Sequence, residues 1–289
     1  MYRSGRPRLR ARELATIRTK MLIATGNRVR VQTRSAFRRI FHFLLYRLGI
    51  RRFREHSFFE ILLPRAAVVA DFGAHRGEFF ASVKSEDSIS RGLLVEADPA
   101  LAESLKGTFG YDADVLHAAL VGKNREATIT FTCSSAPEAS SIFSERVAAD
   151  CVVNRVKVPT VDLGEALRLL GGYVDLAKLD IEGAEVEVLQ TASAFDLACC
   201  RQLTVEFHDT TPPITRNDVD RVCRRMRCEG YAIVNASWPY VDDVLFVNLR
   251  RIDDETRLGF RCRIALANTL FVLRGAFFAT LRLLAGNHA

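Results

Sequence analysis

Val68-Val-Ala-Asp71-Phe-Gly73-Ala-His75-Arg-Gly77-Glu-Phe-Phe80 is the stretch on which the reading of this 289-residue chain turns. A short β-branched apolar run ends in an acid, and two glycines follow. A buried parallel strand has that composition. Glycine lets the backbone turn tightly and approach another group closely. A helix opening at the second glycine presents unpaired N–H groups. Asp71 stands where a dinucleotide fingerprint places its first glycine, so the loop is not of that type.

Three further stretches repeat the design of a strand ending in acids. Leu93-Leu-Val-Glu96-Ala-Asp98-Pro99 follows at the distance a βαβ unit requires, where an acid can accept bonds from ribose hydroxyls. Pro99 suits the first turn of a helix and Asp98 its cap. Val174-Asp-Leu-Ala-Lys178-Leu-Asp180-Ile-Glu182-Gly183-Ala-Glu185 places two acids at a strand's C-terminal end. Gln202-Leu-Thr-Val-Glu206-Phe-His208 closes a fourth strand with an acid and an imidazole.

Around these the pattern predicts strands at 67–71, 92–96, 113–118, 126–132, 155–159, 174–179, 201–207, 231–235 and 243–248. It predicts helices at 37–48, 77–85, 99–106, 162–170, 183–191 and 216–229 and at the C-terminus. Alternation of this kind implies an α/β fold with a doubly wound, mainly parallel sheet. The late strands, separated near Trp238-Pro239, are expected to form an antiparallel edge, and 126–159 an inserted hairpin.

The four stretches, in this order, resemble the FkbM family of S-adenosylmethionine (SAM) dependent methyltransferases over roughly residues 57–250. The matching residues are Asp71-Phe-Gly73-Ala74-His75-Arg-Gly77, Glu96-Ala-Asp98-Pro99, Lys178-Leu-Asp180-Ile-Glu182-Gly183-Ala-Glu185 and Glu206-Phe-His208. Leu116-His-Ala118-Ala-Leu-Val-Gly122 is similar to the family's third-strand segment. His75 departs from the family, which usually has Asn there; imidazole can still donate a hydrogen bond. The resemblance implies a class I, Rossmann-like methyltransferase fold. It also implies a SAM site built from Asp71, Gly73, Ala74, His75, Gly77, Glu96 and Ala118, and methyl transfer to a hydroxyl of a glycan, lipid-linked or small-molecule acceptor.

Methyl transfer to oxygen is an in-line displacement, and a neutral hydroxyl must lose its proton to react. Asp180, Glu182 and His208 come from strand ends on the face where cofactor and acceptor would meet. His208 is the first choice of base, because imidazole titrates near neutrality when unperturbed, and Asp180 is the second. The same three residues are metal-ligand types and could hold a divalent cation. Two other readings stay open at this level: a non-catalytic scaffold on the same fold, and a nicotinamide-dependent oxidoreductase, which would need glycine at position 71.

Charge divides the chain. Residues 1–55 hold 16 Lys or Arg and 2 Glu, a net +14, while the whole chain is +7, so the remainder carries −7. The expected organisation is a basic arm with an amphipathic helix over 1–56, a methyltransferase domain over 57–250 and a C-terminal amphipathic helix over 251–289. Apolar residues at 37, 40, 41, 44, 45 and 48 follow the helical period. Near the C-terminus the longest uncharged run, Ile264–Leu273, has 10 residues. A membrane span takes about 20, so a transmembrane helix is not expected. The two terminal helices could pack on the core or lie on an anionic membrane surface; no nucleic-acid-binding signature is present. Seven cysteines without a Cys-x-x-Cys pair read as reduced thiols, which implies a cytoplasmic protein, free or peripheral to the membrane's inner face.

Overall fold

The computed structural model describes residues 33–84, 89–136, 140–208 and 214–286. Most of the basic arm lies outside them. The chain forms two units, 1–47 and 48–289. In the first, residues 33–47 form helix α1, which exposes Ile40, Phe43 and Tyr46 beside its arginines.

The second unit runs β1 (Ile50–Phe53), β2 (His56–Phe59), β3 (Ala67–Phe72), α2 (Glu78–Val83), β4 (Ile89–Glu96), α3 (Pro99–Phe109), β5 (Asp114–His117), β6 (Ala119–Leu120), β7 (Thr128–Ser134), β8 (Val152–Val161), α4 (Leu163–Leu169), β9 (Leu176–Leu179), α5 (Glu185–Thr191), α6 (Ala194–Ala198), β10 (Gln202–Glu206), α7 (Arg216–Cys228), β11 (Tyr231–Asn235), β12 (Asp243–Asn248) and α8 (Asp254–Gly286). Seven strands form one sheet in the order β11-β12-β10-β9-β3-β4-β5. β5, β4, β3, β9 and β10 are parallel; β12 runs antiparallel to both β10 and β11. This is the doubly wound sheet with an antiparallel edge that the alternation implied. β7 and β8 form the inserted antiparallel hairpin, and β6 joins β8.

Both faces of the sheet are covered, so the central strands are mostly apolar, with Asp71, Lys178, Gln202 and Thr204 as buried polar exceptions. Ala70, Phe72, Ala177 and Val205 face α4, α5 and α7, while Val69, Leu94 and Leu176 face Phe79, Phe80 and Leu105 of α2 and α3. Asp98 caps α3 by accepting from the backbone N–H groups of Ala100 and Leu101, with Pro99 in the first turn.

Two elements were not legible from the pattern. The β1–β2 hairpin reads Ile50-Arg-Arg-Phe-Arg-Glu-His-Ser-Phe-Phe59, too charged to resemble a strand. Distant partners make it one. The Gln202 side chain accepts from Phe59 N at 2.8 Å and donates to Phe59 O at 3.1 Å. Arg52 pairs with Asp243 at 2.9 Å and donates to the Ala236 carbonyl. The short α6 depends on a capping box of Ser193 and Asp196.

α8 also differs from expectation. It is one unbroken helix of 33 residues, and by length and composition it is apolar enough to cross a membrane. Arg274 interrupts an otherwise apolar stretch, so no long uncharged run marks this helix in the sequence. One stripe of the helix packs on the sheet edge: Ile264, Ala267 and Phe271 are buried, and Gly275 lies against Trp238, whose ring a Cβ would hit. Asn268 completes the free edge of β11, accepting from Asn235 N at 2.9 Å and donating to Ile233 O at 2.8 Å. An edge strand with unpaired backbone groups is otherwise a liability.

Asn268→Ala removes both edge bonds and is expected to cost about 1–3 kcal/mol. Thermal or denaturant unfolding measures it; an unchanged midpoint would mean that α8 does not depend on this contact.

Candidate functional site

The C-terminal ends of β3, β4, β9 and β10 open into one cavity of about 400 Å³, where open α/β sheets bind ligands. Its wall combines the loop after β3, the end of β4, the acids after β9, Glu206 at the end of β10, and residues 53–56 of the β1–β2 hairpin.

On one side is the glycine loop. Gly73, His75 and Gly77 all have positive φ, which is costly for the imidazole residue. Gly73 N and Ala74 N donate to the Val95 carbonyl at 3.0 and 3.1 Å, fixing the loop against β4. Glu96 fixes it from the other end: its carboxylate accepts from His75 N at 2.7 Å and Asp98 N at 2.8 Å. Each oxygen keeps a lone pair for a further donor. Burial pushes the Glu96 pKa upward. His75 Nε2 is buried without a hydrogen-bond partner among the described residues.

Gly73 is required for a different reason than cofactor approach. A Cβ there would collide with the Asp180 carbonyl oxygen. At Gly77 a Cβ would enter the Phe109 ring. Of the residues assigned to the cofactor from sequence, Gly73, Ala74, His75, Glu96 and Ala118 line the cavity, while Asp71 and Gly77 lie behind its wall.

Asp71 is fully buried and faces Lys178. The Lys178 ammonium, itself buried, lies 3.3 Å from Asp71, 3.3 Å from Asp180 and donates to the Gly73 carbonyl at 2.6 Å. Burial alone would lower its pKa, but the two carboxylates raise it well above the usual lysine range. Lys178 is therefore a permanent cation that ties β9 to the glycine loop.

On the other side are the acids. Asp180 faces Lys178, His56 Nε2 at 3.5 Å and His208 Nε2 at 3.8 Å. Despite burial, Lys178 and His56 hold its carboxyl well below the usual range. His208 does not line the cavity. It is clamped between Glu185 at 3.0 Å and Glu182 at 3.2 Å. Burial works the other way, yet these carboxylates push its pKa up to about 11. The fully buried Glu185 also accepts from Ile181 N and Gly183 N, so it shapes the turn in which Glu182 has φ 55°.

Two residues not picked out as site groups complete this side. Glu206 and His56 both line the cavity, with His56 Nε2 3.9 Å from the Glu206 carboxylate. Burial and the neighbouring Asp180 charge raise Glu206 to about 8. Burial lowers His56, opposed by its Asp180 contact, so its imidazole is neutral. Glu206 was visible as a strand-end acid; nothing in the sequence marked His56, which arrives from a hairpin 148 positions from its neighbour Thr204.

Two groups, His56 with Asp180 and Glu206, and Asp180 with Glu185 and His208, bring metal-ligand atoms within 4.8 Å of one another. They fit a divalent cation poorly. Lys178 and the protonated His208 already supply positive charge to these carboxylates.

The family model described as "Methyltransferase FkbM domain" matches residues 71–233. No curated protein matches. A crystal structure of methyltransferase FkbM from Methylobacillus flagellatus is 17% identical, with TM-score 0.42, over 63% of this chain and 44% of that one. This chain thus spans less than half the length of that relative. The 1,6-didemethyltoxoflavin-N1-methyltransferase of Burkholderia thailandensis, solved with 1,6-didemethyltoxoflavin and S-adenosylhomocysteine, is 14% identical over 84% of this chain and 91% of that one, with TM-score 0.31. A fibrillarin pre-rRNA processing protein of Methanococcus jannaschii is 12% identical over 69% of each chain, with TM-score 0.35.

Lys178→Met leaves a buried carboxylate unpaired and is expected to destabilise the fold by about 3–5 kcal/mol. Adding Asp71→Asn should recover a large part of that loss. A double-mutant cycle by denaturant unfolding measures the coupling; strictly additive losses would show that the pair is not a unit.

Proposed function

This chain belongs to the FkbM methyltransferase family, the match covering more than half of its length, and from that premise we propose that it transfers a methyl group from SAM to a hydroxyl oxygen of a glycan, lipid-linked or small-molecule acceptor. The observation that carries this reading is the division of one cavity into a glycine-loop side and a side lined by the Asp180 and Glu206 carboxylates with His56.

The cofactor side suits SAM. Glu96 offers two lone pairs to ribose hydroxyls, and the unpartnered His75 Nε2 lies in the same wall. SAM, when bound, supplies an electrophilic methyl on a sulfonium. The protein's own residues then have two tasks: to orient the acceptor oxygen and to take its proton.

We assign proton acceptance to Glu206 rather than to His208. Held near 11 by its carboxylate clamp, His208 is already protonated at neutral pH and cannot accept a proton there; it positions Glu182 and Glu185. Asp180, held low by Lys178, is a weak base and a charge-stabilising neighbour. Glu206 is exposed to the cavity and titrates near the working pH, the condition for efficient general-base catalysis. Neutral His56 beside it completes the acceptor wall. No metal ion is assigned a role.

Glu96→Ala should weaken SAM binding about 10- to 150-fold, the equivalent of roughly 1.5–3 kcal/mol for a charged acceptor. Calorimetry with SAM or S-adenosylhomocysteine measures this, and unchanged affinity would remove Glu96 from the cofactor site.

Glu206→Gln should keep SAM binding and lose about 10²–10⁴ in turnover, read as radiolabelled methyl transfer to whichever acceptor fraction the wild type labels. Since the base must be ionised, wild-type turnover should rise tenfold per pH unit and level off above about 8. An acceptor-free check exists. A carboxyl raised from 4.5 to about 8 by folding releases its proton first in the unfolded chain, so stability falls as pH rises through that window. Glu206→Gln should remove that part of the slope; an identical pH–stability curve would place the titration elsewhere.

A further inference from the structure

We infer that α8 is a membrane-surface helix: docked on the methyltransferase sheet by one stripe, it lays the opposite stripe on an anionic lipid bilayer. The docked stripe is defined by Ile264, Ala267, Asn268, Phe271 and Gly275, which recur at the helical period; the first two and Phe271 are buried, Asn268 bonds β11 and Gly275 lies against Trp238. The opposite side carries Leu258, Leu266 and Leu273, which are 72%, 55% and 55% exposed. Leu283, about seven turns beyond Leu258 on the same side, is 73% exposed.

An exposed apolar stripe this long needs an occupant, and the charge on the helix selects one. From Thr256 to the end of the chain there are five arginines and no Asp or Glu. Arg261 and Arg282 are exposed. An apolar face bordered by basic residues, with no acid beyond the first turn of the helix, suits a helix lying in the headgroup region of anionic lipid. Arg257, Arg263 and Arg274 donate to backbone carbonyls, whereas the stem of the exposed Arg261 can follow the apolar surface while its head reaches phosphate. α1, taken by itself, has the same combination of exposed Ile40, Phe43 and Tyr46 with arginines and no acid between residues 33 and 47.

A surface helix fits better than a spanning one. The Asn268 amide is committed to the backbone of β11, and Arg263 and Arg274 donate to the carbonyls of Leu48 and Ala236. Insertion across a bilayer would strip those bonds without replacing them. The attraction does not depend on the reaction assigned above.

The test is flotation of the full chain with phosphatidylcholine vesicles, alone or with about one third phosphatidylglycerol. Binding is expected to the anionic vesicles only and to weaken with salt. Leu266→Glu with Leu273→Glu, both outside the docked stripe, should reduce binding more than about tenfold with an unchanged melting temperature. Equal binding by that variant, or none by the wild type, would overturn the inference. Resistance of the bound protein to alkaline carbonate extraction would also overturn it, in favour of a spanning helix. If the double variant does not fold, Leu273→Trp gives a second reading: its added fluorescence should shift to the blue on anionic vesicles, and emission that stays put contradicts the proposal.

Discussion

Everything near the cavity hangs on one buried ammonium. Lys178 belongs to the central strand β9, yet its side chain reaches Asp71 on β3, the Gly73 carbonyl in the loop and Asp180 beyond its own strand end. A charge so placed is costly to desolvate and is tolerated only because two carboxylates and a carbonyl surround it. The arrangement makes three segments interdependent. It also explains the close packing at Gly73, where the loop backbone is drawn against the Asp180 carbonyl and leaves no space for a Cβ.

The same ion cluster sets the electrostatics of the acceptor side. Asp180, Glu182, Glu185 and Glu206 crowd together, and they cannot all ionise without compensation. Lys178 compensates Asp180, and the protonated His208 compensates Glu182 and Glu185. Glu206 is left with a neutral imidazole for a neighbour and an ionised Asp180 nearby, so its proton is retained to higher pH. Four acids of similar intrinsic chemistry thus take different roles through their neighbours alone.

At the far edge of the sheet a similar economy holds. β11 would present open backbone groups, and the Asn268 amide closes them while anchoring α8. One helix therefore finishes the sheet with one face and leaves an apolar face outward, with the exposed Arg261 at its border. The β1–β2 hairpin does comparable work at the cavity: Gln202 and Asp243 draw it onto β10 and β12, and it delivers His56 to the acceptor wall.

What the sequence determined by itself were the features that depend on local chemistry. The succession of strands and helices along the chain, the glycine loop, the Asp98 cap, the inserted hairpin and the acids at strand ends follow from short apolar runs, turn residues and spacing, which act within a few residues of one another. Only the tertiary structure decided which of those acids carries a proton, why Gly73 must be glycine and that His56 belongs to the cavity at all. Each of these depends on groups brought together from distant positions: Lys178 beside Asp71, Glu185 beside His208, His56 beside Asp180. Charge and steric exclusion act through space over a few ångströms, and no periodicity along the chain records which distant side chains will stand at that range.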